Sequence, residues 1–189
     1  MLNQADLVSA ALANPSSRAI LERLALLELP QVCLVAGAVF QPVWNSHTGR
    51  PAAEGIKDYD IFYFDERDLS AETESEVRAR AAQLFRDLDA LIDIKNQARV
   101  QAWYPACFGA DWPPVASVSE SIGRFPVRCS CVGLRPNGDG SVTLIAPFGT
   151  KELVRGVLGP NSQCPSPASF RPKAESYRAR WPFLQILVI

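Results

Sequence analysis

The sequence predicts an α+β fold, a mixed β-sheet with flanking helices. Two observations predict it: short apolar runs of strand length alternate with longer segments whose apolar residues recur at helical spacing. The chain of 189 residues is also 48% hydrophobic and 21% charged, which is enough apolar material for a core. We therefore expect a single domain over residues 1–189, with a helical N-terminal segment at 1–29 and a C-terminal helix at about 173–183.

The N-terminal half contains signals for a helix, a strand and a second helix. Apolar residues at helical spacing predict the first helix at 17–28, which a proline closes. The apolar run at 31–36 is short enough for a buried strand, and Ala36-Gly37-Ala38 follows it without bulky side chains. Such a junction lets a ligand approach the backbone. A short helix at 39–45 and a Gly- and Pro-containing loop at 46–57 come next.

The rest of the chain alternates between the same two kinds of element. Residues 57–64 resemble a strand, and 71–91, rich in Glu, Ala and Arg, is the longest predicted helix. The strand at 91–95 carries Asp93 on an otherwise apolar element. The remaining predictions are a capped helix at 117–123, a hairpin of 127–134 with 141–145, an irregular tail at 159–172 and a helix at 173–181.

Charge and hydropathy restrict the possible partners. Nineteen basic and twenty acidic residues give a formal charge of −1, so we expect no broad nucleic-acid-binding surface. No apolar run approaches the ~20 residues that span a bilayer, and the first residues lack the pattern of a secretory signal. We therefore expect a cytoplasmic protein without membrane association. The oligomeric state is left open.

The cysteines and the single histidine argue against several other chemistries. Five cysteines, an odd number without CxxC spacing, disfavour both a disulfide framework and a structural zinc site. Cys129 and Cys131 would share one face of a strand, where burial is the expected role of a free cysteine. A cysteine- or zinc-based enzyme would rest on these two residues and His47 alone, and it is the weakest of three hypotheses.

Three aspartates indicate a metal site. Asp58 and Asp60 are two residues apart in a strand-like stretch and would point to the same side, although acidic pairs also flank turns. Asp93 lies on the next predicted strand, and sequential strands are usually neighbours. Converging carboxylates repel one another unless a proton or a cation lies between them. Mg²⁺, or Mn²⁺ in its place, carrying a triphosphate would satisfy this arrangement without a histidine ligand.

The same residues resemble a known family. The order of Gly37-Ala38, a short helix, Asp58-Tyr-Asp60 on a strand and an acid on a later strand resembles the nucleotidyltransferase fold of the DNA polymerase beta superfamily. More narrowly, 34–45, 55–65, 93–100 and 146–149 are similar to a bacterial family of nucleotidyltransferase-like proteins. The resemblance implies that Asp58, Asp60 and Asp93 are the metal-binding and catalytic carboxylates. It also implies that Gly37 and Ala38 form the backbone against which a nucleoside triphosphate lies.

Further polar residues near these motifs are candidates for nucleotide binding. Lys57 directly precedes the aspartate pair and could contact phosphate, although a surface position is the usual one for lysine. Asn96 and Arg99 follow the predicted strand of Asp93 and could hold phosphate, sugar or base, Arg99 through its bidentate fork. They could equally satisfy backbone groups at an irregular turn. Trp44 could stack on a base or belong to the core.

Two hypotheses follow from the resemblance. The first is an Mg²⁺-dependent nucleotidyltransferase that transfers a nucleoside monophosphate from an NTP to an unknown acceptor hydroxyl and releases pyrophosphate. The alternative is a catalytically inactive nucleotide- or metal-binding module of the same fold. Three departures from the family pattern motivate it: Ala38 offers no hydroxyl, Gln101 replaces a common histidine, and Lys151 replaces an acidic residue.

Overall fold

A five-stranded mixed sheet forms the centre of the protein. The computed structural model describes residues 3–187, and its sheet has the order β3-β2-β1-β4-β5. Strands β2 and β3 are parallel and the other neighbours are antiparallel. A second, two-stranded parallel sheet pairs β6 with β7. The strands are β1 Cys33–Val35, β2 Tyr59–Tyr63, β3 Ile92–Asn96, β4 Gly133–Pro136, β5 Val142–Ile145, β6 Val157–Leu158 and β7 Gln185–Ile186.

Eight helices flank this sheet within residues 3–187, so the predicted α+β class is confirmed. They are α1 Gln4–Leu12, α2 Pro15–Arg23, α3 Gly37–His47, α4 Ala71–Leu84, α5 Tyr104–Phe108, α6 Val118–Ile122, α7 Lys151–Arg155 and α8 Phe170–Arg180. None of these helices is both long enough and apolar enough to cross a membrane.

Side-chain alternation along the strands gives the sheet two different faces. Leu34, Ile61 and Ile94 point to the face that packs on the N-terminal helices and forms the main core. Val35 and Phe62 point to the opposite face, where a smaller apolar cluster packs against α6. Because Asp60 and Asp93 each precede a core isoleucine, they lie on this second face.

Helix α3 contains a proline without losing its hydrogen bonding. Pro42 has no N–H to donate to the carbonyl of Ala38, four residues earlier. The hydroxyl of Ser17, fully buried on α2, donates to that carbonyl instead at 3.0 Å. Trp44 on the same helix is 1% exposed and donates to the carbonyl of Leu153 at 3.1 Å, which confirms it as a core residue. Hydrogen bonds thus hold helix α3 to α2 and to α7.

Two predicted helices are shorter or interrupted. The helix predicted at 17–28 is α2 followed by a 3-10 turn at Leu24–Leu27, after which Glu28 adopts a left-handed conformation with φ of 54°. The helix predicted at 71–91 ends at Leu84. The chain must turn here, because the carbonyl of Leu91 accepts a hydrogen bond from Tyr59 N–H as β3 begins alongside β2.

Other boundaries in the C-terminal half also differ. The first hairpin strand begins at Gly133 rather than 127, because a 3-10 turn occupies Arg128–Ser130. Cys129 and Cys131 therefore do not share a strand face, although both are buried as expected. The last helix, predicted at about 173–183, is α8 and runs over Phe170–Arg180.

Candidate functional site

A polar chamber of about 380 Å³ opens where β1, α3, β2 and α8 meet. We call it the polar chamber because most of the side chains on its wall are charged or polar. The wall includes Gly37, Gln41, Asp58, Asp60, Lys173 and Arg180. Lys57 also lines it and is exposed. Four of the predicted site residues, namely Gly37, Lys57, Asp58 and Asp60, are thus brought together.

The junction of β1 and α3 forms one wall of the polar chamber. Ala36 makes the turn with φ of 53° and ψ of −122°, a conformation that a residue with a Cβ rarely adopts. Gly37 then begins the helix, and a Cβ there would lie 2.6 Å from Nε2 of Gln41. Gly37 therefore leaves room for the Gln41 amide at the chamber wall. Ala38 is fully buried behind the junction and its carbonyl is used by Ser17.

The aspartates lie at one end of the central strands. Asp60 on β2 is in register with Val35 on β1 and with Asp93 on β3. Asp58 is exposed and lies just before β2, so only Asp60 of the pair is within the strand. Burial, the largest cause, and the negative charges of Asp58 and Asp93 together raise the pKa of Asp60 to about 6, against the opposing effect of Lys95 and Lys173. Asp58 and Asp93 therefore both lie close enough to Asp60 for their charges to act on it.

Asp93 is less available than the other two aspartates. Its carboxylate forms an ion pair with Lys95 on the same face of β3, and Asp93 lies outside the wall of the polar chamber. Within residues 3–187, no three Asp, Glu, His or Cys side chains are close enough to hold a metal ion as a group. The assignment of all three aspartates as metal ligands stays a prediction.

The C-terminal helix supplies cations that the sequence reasoning missed. Lys173, Ser176, Tyr177 and Arg180 line the polar chamber and follow the i, i+3, i+4, i+7 spacing of one helix face. That spacing was visible in the sequence, but nothing local indicated that this face of α8 would lie opposite Gly37.

Arg180 is the most constrained of these cations. Its Nη1 donates to Gln41 Oε1 at 3.2 Å and to the carbonyl of Gly55 at 3.1 Å, while its guanidinium lies 4.5 Å from the ring centre of Trp181. Burial lowers the pKa of Arg180. Its Nε is buried without a hydrogen-bond partner among residues 3–187. A partly dehydrated cation with a free donor favours an anionic ligand.

Asn96 and Arg99 lie away from the aspartates and have structural partners. Glu74 on α4, whose side chain is 3% exposed, accepts from Arg99 Nη1 at 2.6 Å and from the Asn96 N–H at 3.0 Å. The Asn96 amide also donates to the carbonyl of Asp65 at 2.7 Å. Neither residue lines the polar chamber. Their contacts match the role of satisfying backbone and buried charge at an irregular turn.

A second cavity, of about 280 Å³, adjoins the first. We call it the aromatic chamber because six aromatic side chains line it: Phe62, Trp103, Tyr104, Phe108, Trp112 and Phe125. Lys95 and Arg124 also line it, and Asp60 and Lys173 belong to the walls of both chambers. Sequence reasoning missed this cavity, because its residues come from two strands, from the short helices and loops of 97–126 and from the segment 164–173.

The residues that depart from the family pattern lie outside both chambers. Gln101 and Lys151 are exposed, and neither lines a chamber wall.

Burial raises the pKa of Cys131 to about 12 and that of Cys129 still higher, so both thiols stay protonated at neutral pH. His47 contacts Phe183, with ring centres 4.5 Å apart. These residues therefore offer no support for cysteine chemistry.

Three solved structures resemble this protein over nearly the whole of its chain. A structure solved by NMR and described as a CCA-adding enzyme head domain matches with a TM-score of 0.81 and 21% identity, over 99% of this chain and 97% of that one. A tRNA-processing enzyme in its apo form matches with a TM-score of 0.51 and 15% identity. A complex of a CCA-adding enzyme with CTP matches with a TM-score of 0.50 and 15% identity. This chain spans 45% and 41% of those two chains, and 99% of it is covered in both matches.

At these identities the structural likeness shows the fold alone, and it confirms the predicted polymerase beta-like fold. No curated protein matched the sequence. A family model described as "Nucleotidyltransferase" matches residues 22–186, which is most of the chain. The protein therefore belongs to this family of nucleotidyltransferases.

Proposed function

We propose that the protein is an Mg²⁺-dependent nucleotidyltransferase that transfers a nucleoside monophosphate from an NTP to an acceptor hydroxyl. One observation carries the proposal: Asp60 lies beside Asp58 in a chamber whose other walls are the Gly37 junction and a basic face of α8. Carboxylates and cations facing one small volume suit a ligand that brings both a divalent cation and phosphate charge. Family membership supports the same conclusion.

The cations of α8 account for triphosphate binding. Lys173 and Arg180 on one face of α8 line the same chamber as Gly37 at the start of α3. Backbone N–H groups at a helix N-terminus and basic side chains both favour phosphate oxygens. In particular, Arg180 Nε is a buried donor that a phosphate oxygen would satisfy. The β- and γ-phosphates would therefore lie between Gly37 and Arg180.

The aspartate pair fits Mg²⁺. Mg²⁺ is usually held by one or two protein carboxylates, with the remaining oxygens supplied by substrate phosphates and water, so a preformed cluster of three acids is not required. Asp58 and Asp60 would be these ligands, and Mn²⁺ accepts the same donor set. When bound, the ion would neutralise charge on the reacting phosphate and on the departing pyrophosphate.

The chain's own residues would position the reactants and accept a proton. The acceptor oxygen forms a bond to the α-phosphorus, the bond from that phosphorus to the pyrophosphate oxygen breaks, and pyrophosphate leaves with the electron pair. Asp93, in register with Asp60 on the neighbouring strand, would receive the acceptor's proton once its ion pair with Lys95 opens. Lys173 and Arg180 would bind the departing pyrophosphate.

The test is equilibrium binding of a nonhydrolysable NTP with and without Mg²⁺. Asp60→Asn is expected to weaken Mg²⁺-dependent binding by roughly 100-fold or more, since even residues that only support metal ligands contribute about 10- to 100-fold. The matched control is Asp139→Asn in the β4–β5 turn, where Oδ1 accepts from Ser141 and an asparagine could do the same. Equal affinities of wild type and Asp60→Asn would refute the proposal.

One observation favours the inactive module as a second candidate. The ion pair of Asp93 with Lys95 withholds the third carboxylate from the reaction site. If this pair persists with nucleotide bound, the protein binds NTP without transferring it. Pyrophosphate release in the presence of Mg²⁺, NTP and a panel of hydroxyl acceptors decides between the two: release supports the transferase, and binding without release by any member of the panel supports the module.

A further inference from the structure

We propose that the aromatic chamber is the acceptor site, and that it takes a hydroxyl compound carrying one planar heteroaromatic ring and one anionic group. This inference rests on the proposed function, because it locates the second substrate of the same reaction. Three observations lead to it: the position of the chamber relative to Asp60, the unused hydrogen-bond donor of Trp112, and the cations beside the rings.

The topology of the sheet places the two chambers on opposite sides of Asp60. Strand β2, which carries Asp60, lies between β1 and β3. The polar chamber is built on the β1 side, at Gly37, and the aromatic chamber on the β3 side, at Lys95. Phosphoryl transfer proceeds with the attacking and leaving oxygens roughly in line. If pyrophosphate leaves through the polar chamber, the attacking hydroxyl arrives from the aromatic chamber.

The rings of the chamber suit a planar ligand. Tyr104 is the centre of the group, with ring centres of Phe108 and Trp112 at 4.5 and 4.7 Å. Phe108 lines the same cavity and is 53% exposed, so its ring is accessible to a ligand. The volume of about 280 Å³ is near the lower end of the roughly 300–1,000 Å³ of small-molecule sites, so one ring system fills it.

Polar atoms around these rings specify the rest of the ligand. The Trp112 Nε1 atom is buried and has no partner in the described part of the chain, so a ring atom that accepts a hydrogen bond would satisfy it. Arg124 lies 5.7 Å from the Trp112 ring centre, and Lys95 lies 5.9 Å from that of Trp103. Arg124, and Lys95 once its ion pair with Asp93 opens, favour an anionic substituent over a neutral one.

Nucleoside monophosphates are the probes, because they join a heteroaromatic ring, an anion and hydroxyls. Binding is followed by calorimetry and by tryptophan fluorescence, without NTP or Mg²⁺. Of the four tryptophans, Trp44 and Trp181 are each 1% exposed, so quenching reports on the two in the chamber. We expect saturable quenching by a nucleoside monophosphate. Ribose 5-phosphate, which lacks the ring, and the free nucleoside, which lacks the anion, should both bind more weakly.

Variants of the chamber test the assignment. Phe108→Ala is expected to weaken probe binding by roughly 5- to 100-fold, as for other stacking side chains, whereas Phe148→Ala, an exposed phenylalanine outside both chambers, should leave it unchanged. Trp112→Phe keeps a ring but removes the N–H donor and should cost about 2- to 10-fold. Both chamber variants should retain wild-type affinity for the Mg²⁺-NTP complex.

Three results would overturn the inference. The first is that no monophosphate quenches saturably at millimolar concentration. The second is that Phe108→Ala weakens NTP binding, because the chamber then holds the base of the donor. The third is that a single-stranded RNA ending in the same nucleotide binds at least tenfold tighter than the monophosphate, whereas equal affinity supports a site for one terminal unit. The proposed function fails on a different measurement, NTP binding by Asp60→Asn, so the two failures are separable.

Discussion

The two chambers share Asp60 and Lys173 but are built in different ways. The polar chamber is formed by β1, α3, β2 and α8, and hydrogen bonds hold Arg180 to Gln41 and Gly55 at its wall. The aromatic chamber takes most of its wall from the segment 97–126, in which the short helices α5 and α6 are joined by turns and loops. The central sheet and its longer helices hold charges at set distances, which phosphate chemistry requires, whereas side chains on loops and short helices are free to differ between acceptors. We therefore infer that the polar chamber carries out the phosphate chemistry and that the aromatic chamber selects the acceptor.

The strongest test of this division is Glu74→Ala. Glu74 is buried and holds Arg99 and the Asn96 N–H, at the point where β3 leads into the aromatic wall. Its loss leaves the largely buried Arg99 guanidinium without its carboxylate and the buried Asn96 N–H without an acceptor, which costs about 3 to 5 kcal/mol of the free energy of unfolding. We expect this loss in chemical denaturation, together with weaker binding of the ring probe.

The matched comparison is Glu76→Gln, two residues away on the same helix and exposed, which should change the free energy of unfolding little. NTP affinity measured on the folded fraction of Glu74→Ala should remain close to wild type. If NTP binding fell while the fold stayed intact, Asn96 and Arg99 would be nucleotide-binding residues after all.

Arg180→Gln should affect the other chamber. Removing a charge-assisted contact costs about 1.5 to 3 kcal/mol, so affinity for the Mg²⁺-NTP complex should fall by roughly 10- to 100-fold. Arg180→Lys should recover part of it. Arg178→Gln is the control, since Arg178 lies on the same helix but is exposed and outside the chamber. Equal effects of the substitutions at 178 and 180 in calorimetry would contradict a specific phosphate contact.

Asp60→Asn is expected to stabilise the protein while removing its function. The native pKa of about 6 lies above the ordinary value of 3.8, so the stability contributed by this group is complete below 3.8 and is lost as pH rises through about 6. At pH 8 the variant should be about 1 to 3 kcal/mol more stable than wild type, an advantage that disappears in acid.

Denaturation curves across this pH range measure that difference. Asp139→Asn should not be stabilised, because Ser141 donates to the Asp139 carboxylate and lowers its pKa. A stability difference for Asp60→Asn that did not vary with pH would show that the carboxylate is not desolvated in the chamber.

The smallest effect is expected at the turn into α3. Ala36 has a backbone conformation that costs about 1 to 3 kcal/mol for residues with a Cβ, and glycine adopts it freely. Ala36→Gly should therefore raise the free energy of unfolding by about 1 kcal/mol. Ala38→Gly, inside the helix and fully buried, should lower it by at least a similar amount. The same sign for both substitutions in thermal denaturation would contradict the strain at residue 36.

The polar chamber could be predicted in part because its signals are local. A strand ending in Ala36-Gly37 and an acidic pair before a buried run are readable in the chain itself, and the parallel neighbour β3 brought Asp93 beside Asp60. Asp58 lies outside the strand because pairing with β3 begins at Tyr59. Lys173 was missed because helix spacing defines a face but not what the face contacts.

The sequence could not reveal the aromatic chamber or the role of Arg99. Trp103, Tyr104 and Trp112 converge only through the path of 97–126, whose helices are too short to give a periodic pattern. Arg99 has the chemistry of a phosphate ligand, but its guanidinium forms an ion pair with the buried Glu74 of α4. In both cases the decisive partner is distant in sequence, and residue type alone does not identify it.

The most direct measurement is a backbone amide chemical-shift map with Mg²⁺ and a nonhydrolysable NTP. We expect the largest changes around the polar chamber, at Gly37, Asp58, Asp60 and Arg180, and we expect them to require Mg²⁺. Changes centred on the segment 96–99, or the same map without Mg²⁺, would contradict the assignment of the polar chamber to the triphosphate and its metal ion.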